Sequence, residues 1–187
     1  MSKHIDSANE SELAATGGTS GATPSVRKAG EFNWTVSARN PLHKICRTLA
    51  TMSTAEYVVA VLQGVPASFL GQLAEAMNYS VGQLSLMLGI SKATAYRMQS
   101  KGDAGPMGHF EGDAVADFAR LVGEAQMDAG QAKQALASAA RALSAWLELP
   151  SRVLGDIPPV SILKVGIGRA HAFRLWKQHR ASLRSAT

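Results

Sequence analysis

The stretch Ser80–Gly102, reading SVGQLSLMLGISKATAYRMQSKG, leaves the chain few ways to fold. Ser80 and Gln83 have the spacing of a capping box, which opens a helix by satisfying free N–H groups at its start. Leu84, Met87 and Leu88 recur at i, i+3 and i+4 and share one face. Gly89 stands where a helix end takes a left-handed residue, and Ser91 is placed to cap a second helix. In that helix Ala95 and Met98 are the inward positions, and Lys92, Ala93, Thr94, Tyr96 and Arg97 point elsewhere, with Gly102 ending it. Two short helices about a glycine turn, the second carrying basic and hydroxyl groups, form the pattern a reader of the DNA major groove requires. Lys92, Lys101 and the Gln83 end of the first helix are the expected phosphate contacts. Thr94, Tyr96 and Arg97 are the expected base readers, with Ala93 against a thymine methyl and Ser91 mainly a cap. The bland alternative is a three-helix packing unit with no nucleic-acid role.

The remaining chain shows no convincing strand, and its ordered elements read as helices, an all-α fold. Residues 1–40 are expected to be disordered. They contain TGGTSGATPS and few large aliphatics, with Phe32 and Trp34 the first anchors able to dock on a core. From Pro41 the texture changes. Leu42, Ile45, Cys46 and Leu49 keep helical rhythm, Ser53 and Glu56 form a second capping box, and Gly64 closes the helix it opens. Pro66 suits the first turn of the next helix, whose apolar face is Phe69, Leu70, Leu73 and Met77. Residues 102–112, dense in Gly and Pro, are expected to be a loop. Helices are expected over 113–127, 131–149 and 169–183, with turns in the segment between Pro150 and Gly168. The division expected is a helix-turn-helix domain over 41–112 and a helical C-terminal domain over 113–187.

Charge and chemistry narrow the function. The formal net charge is +5, a mild bias towards polyanions. A single cysteine, Cys46, excludes an intramolecular disulfide and fits a reducing cytoplasm. No run approaches the roughly 18 apolar residues of a membrane span. Catalytic residues, cofactors and metals are not expected. Cys46 lies on an apolar face with only His43 nearby, His171 and His179 are badly spaced for a metal, and Gly166-Ile167-Gly168 lacks the strand and third glycine of a nucleotide loop. After Asp156 the chain has no acid but carries Lys164, Arg169, Arg174, Lys177, Arg180 and Arg184, read as a solvated helix face, as added phosphate affinity, or as a surface that approaches an anion-binding pocket of a partner protein.

One longer pattern goes further. GISKATAYRM over Gly89–Met98 is followed by Trp146-Leu147, Pro150, Leu154-Gly155, Pro159, Leu163 and Gly168. In this order the chain resembles the Xre/MbcA/ParS-type antitoxins, partners of RES-domain toxins, from about Thr54 to Lys177. It departs from that pattern at Asp156, where a second glycine is usual, and at Val165, where a threonine is usual. The resemblance implies an Xre-like helix-turn-helix domain followed by a helical toxin-binding and dimerisation domain. It implies two activities: neutralising an NAD-consuming or ADP-ribosylating RES-domain toxin, and repressing its own operon by binding operator DNA as a homodimer. The residues it assigns to toxin contact are Leu154, Gly155, Pro159, Leu163, Val165, Gly168 and Arg169. Two alternatives remain, a standalone repressor and a toxin-binding inhibitor without DNA binding.

Overall fold

In the computed structural model, which describes residues 31–100, 105–127 and 133–185, the chain is all-helical. The helices are α1 (Leu42–Thr51), α2 (Thr54–Leu62), α3 (Ala67–Ala76), α4 (Val81–Met87), α5 (Lys92–Ser100), α6 (His109–Ala125), α7 (Lys133–Glu148) and α8 (Gly166–Ser185). Two 3-10 turns, Arg152–Leu154 and Pro159–Ile162, connect the last two. Among the described residues no helix is long and apolar enough to cross a membrane.

Helix α6 organises the bundle. It buries Ala114, Val115, Phe118, Ala119, Leu121 and Val122, and packs most extensively on α1, then on α8 and α7. Its approach to α1 is set by a missing side chain: a Cβ at Gly123 would stand 1.9 Å from the Cys46 carbonyl oxygen. Cys46 is fully buried there, and burial pushes its thiol up to about 12, so it is neutral and inert at neutral pH.

Both expected capping boxes form, at Ser53–Glu56 and Ser80–Gln83. Pro66 is the residue that precedes α3, one position before the first turn. Three boundaries differ from the sequence reading. Helix α6 begins at His109, inside the expected loop, and Gly112 is buried within it, where a Cβ would make ordinary contact with the Val65 side chain at 3.6 Å. Its start is tied down by the Met107 N–H, which donates to the Val65 carbonyl at 2.8 Å. Helix α8 begins at Gly166, so Gly166-Ile167-Gly168 is its first turn and no separate bend. Gly168 is required because a Cβ would fall 1.9 Å from the Ile162 carbonyl oxygen. The boundary expected at 112/113 falls within α6, and one buried apolar cluster runs from Trp34 through Phe69 and Phe118 to Trp176.

Of the N-terminal segment, residues 1–30 lie outside the described residues. Residues 31–40, grouped with them as disordered, instead dock on the bundle through Phe32 and Trp34 and end in a turn closed by mutual backbone hydrogen bonds between Ser37 and Asn40. Trp34 is buried, its indole N–H donating to the Ala60 carbonyl at 3.2 Å, and its ring packs edge-on to Phe69 at 5.2 Å. Trp146 and Trp176 form a second edge-on pair at 5.1 Å between α7 and α8, as core anchors.

Candidate nucleic-acid interface

Helices α3, α4 and α5 form a compact tripod whose turns are fixed by backbone chemistry. After α3, Asn78 takes φ 57°, and the Tyr79 N–H reaches back to the Ala74 carbonyl at 2.9 Å. After α4, Gly89 takes φ 75°, the Ile90 N–H donates to the Ser85 carbonyl at 2.8 Å, and the Gly89 N–H donates to Leu86 at 3.3 Å. Both ends are Schellman motifs, the glycine and asparagine supplying the left-handed residue. Leu84, Leu88, Ile90 and Ala95 are buried beneath, and Met87 and Met98 pack partly against the core.

The structure places the sequence-predicted DNA residues as follows. Gln83 is exposed, with its Oε1 accepting from the Ser80 N–H at 2.8 Å. Ser91 caps α5, its Oγ accepting from the Thr94 N–H at 3.1 Å and donating to Thr94 Oγ1 at 2.9 Å. Thr94 is therefore half-buried and engaged in the cap. Lys92, Ala93 and Arg97 are exposed, and Tyr96 presents 69% of its surface. Lys101 lies outside the described residues. The first turn of α4 and the side of α5 converge on a groove lined by Ser80, Val81, Gly82, Lys92, Ala95 and Tyr96. No Asp or Glu occurs from Ala76 to Gly102, so neither α4 nor α5 carries a carboxylate to offset Lys92 and Arg97.

The residues assigned to toxin contact divide into two groups. Pro159, Leu163, Gly168 and Arg169 are buried within the chain, the first two in the loop and the last two in the first turn of α8. Gly155 and Val165 are exposed and Leu154 is half-buried. Gly155 and Asp156 both take left-handed backbone, φ 70° and 65°, which is why a second glycine would suit the position that Asp156 occupies. Antiparallel pairing of Ser151 with Ile157 closes this turn. The outward apolar side chains include three the sequence reading did not assign: Val153 at 71% exposed, Ile167 at 80%, and Ile157. Their signal was present, as aliphatics in a Pro/Gly-punctuated segment that fit no helical face.

Arg169 is held by groups far away in the chain. Its Nε donates to Asp117 Oδ2 at 2.9 Å, and its Nη1 donates to the Leu163 carbonyl at 3.2 Å. The Tyr57 hydroxyl donates to Asp117 Oδ1 at 2.7 Å. Burial, with the Asp117 carboxylate beside it, pushes the Tyr57 phenol well above its ordinary range. Beside them Arg120 lies between the Tyr57 and Phe173 rings, 4.7 and 4.9 Å from their centroids. One α2 residue, one α6 carboxylate and the first turn of α8 thus fix the loop backbone.

Asp113, one turn before Asp117, has its carboxyl raised, first by desolvation and then by the Asp117 charge. A carboxyl raised on folding destabilises the fold when ionised, and the penalty vanishes as pH falls through its folded pKa. Asp113→Asn is expected to raise the melting temperature at neutral pH, and the gap should close as pH drops towards the ordinary carboxylate value of about 3.9. Thermal melts of both proteins across that range provide the check; a gap that widens in acid would refute the assignment.

No family model, curated protein or solved structure matches this chain.

Proposed function

We propose that the chain is a DNA-binding antitoxin of the Xre type. In this reading it represses its own operon through α4 and α5, and neutralises a RES-domain toxin through the segment between α7 and α8. It acts in the cytoplasm, as a homodimer, by binding and not by catalysis. The observation that carries the DNA half is the capped α4–Gly89–α5 unit, whose exposed face of Lys92, Ala93, Tyr96 and Arg97 has no acid within it. A cationic helix with hydrogen-bonding groups suits base edges and the flanking phosphates. The toxin half is supported by the resemblance and by the exposed aliphatics Val153, Ile157, Val165 and Ile167 on a loop pinned from beneath.

A gel-shift assay on the DNA upstream of the gene tests the first half. Arg97→Ala is expected to lose about 1–3 kcal/mol of discrimination between operator and unrelated DNA. Unchanged operator binding would remove Arg97 from the interface. Co-expression with a neighbouring RES-domain gene tests the second half, and failure to restore growth would overturn it. A dimer on DNA should contact half-sites about one helical turn, or a multiple, apart, as footprinting would show.

A further inference from the structure

All 14 Asp and Glu residues of the chain lie outside two stretches, 76–102 and 157–187. These stretches are distant in sequence and meet in space at the turn between α4 and α5. A Cβ built on Gly89 would lie 2.7 Å from the Lys164 carbonyl oxygen and 3.3 Å from its Cα. The Lys164 backbone therefore seats directly on the turn, and its side chain is exposed. The backbone there is also fixed: Arg169, itself bound to Asp117, holds the carbonyl of the preceding Leu163. Among the described residues neither Lys164 nor Lys92 nor Arg97 has an ion pair. Lys164 and Lys92, the first residue of α5, thus flank one turn, and Arg97 follows in the last turn of the same helix, with no acid from either contributing stretch.

We propose that Lys164 contacts a DNA phosphate, so that the nucleic-acid surface extends from α4 and α5 onto the loop before α8. This rests on the DNA-binding reading above and adds to it a residue outside the helical tripod. The contact is sequence-independent, because an ammonium on a flexible stem recognises phosphate charge and carries no base information. The same loop carries the exposed Val165. A protein seated on Val165 would stand beside the Lys164 phosphate site.

The probe is a mixed-sequence DNA duplex, with binding followed by fluorescence anisotropy over a series of salt concentrations. Each phosphate contact contributes about 0.9 to the slope of log affinity against log salt. Lys164→Gln is expected to lower that slope by about one contact, and Lys164→Arg to retain it. Between about 50 and 200 mM salt, the glutamine variant should lose roughly three- to fourfold less affinity than the wild type. Lys92→Gln serves as the reference within the tripod, and circular dichroism confirms that each variant is folded. If Lys92→Gln lowers the slope and Lys164→Gln leaves it unchanged, the extension is overturned and the DNA-binding reading stands. If the wild type shows no salt-dependent binding to the duplex, both fall.

Discussion

Gly123→Ala is expected to destabilise the fold by about 3 kcal/mol, the upper end of what overpacking a core usually costs. For a chain of this size that lowers the melting temperature by roughly 6–12 °C. Two effects of opposite sign compete. Alanine favours a helix over glycine by about 1 kcal/mol. The added methyl, however, would meet the Cys46 carbonyl carbon at 2.4 Å as well as its oxygen at 1.9 Å, and these are backbone atoms that cannot swing aside. The steric term wins, and α1 must separate from α6. Gly71→Ala is the matched comparison. It also lies within a helix, but a Cβ there meets nothing within 4 Å, so propensity alone acts. That variant should gain about 0.4–1 kcal/mol. Melts of the two proteins in parallel check the sign as well as the size; equal shifts would remove the α1–α6 approach as the cause.

Asp117→Ala should cost a similar amount, through electrostatics. Removing the carboxylate strips Arg169 of its Nε partner while the side chain is 4% exposed, and leaves the Tyr57 hydroxyl without its acceptor. Breaking a buried pair typically costs 3–5 kcal/mol. Asp117 is 29% exposed, which admits some water, so about 3 kcal/mol is the expected loss. The double replacement Asp117→Leu with Arg169→Met should recover much of it, because removing both charges leaves neither stranded. A double variant no more stable than Asp117→Ala would show that the ion pair is not the source. The loss should also loosen the Leu163 carbonyl, making the loop before α8 more open to proteolysis than in the Gly123 variant.

What the sequence revealed was local in origin. The helices, both capping boxes and the glycine turn at Gly89 rest on residues three or four apart, so their pattern is visible in one dimension. The inward positions Leu84, Leu88 and Ala95 follow from the same spacing. What escaped was set by distant partners. Arg169 reads as an exposed tail cation until Asp117 and Tyr57 are brought to it across 52 and more residues. Gly112 and Gly168 read as loop residues because glycine usually breaks helices. Both instead lie inside helices, and Gly168 admits the Ile162 backbone, a neighbour that only the folded chain supplies. The face of α5 was legible in the sequence, whereas the seating of Lys164 on its turn was not.

The pairing of α1 with α6 also has a temporal meaning. Four helices are made between them. At ordinary translation rates of about 5–20 residues per second, α1 is complete roughly 4–15 s before α6. Throughout that interval α1 lacks its principal partner. Burial of the α1 face that carries Ile45, Cys46 and Leu49 is therefore completed only once α6 has been made.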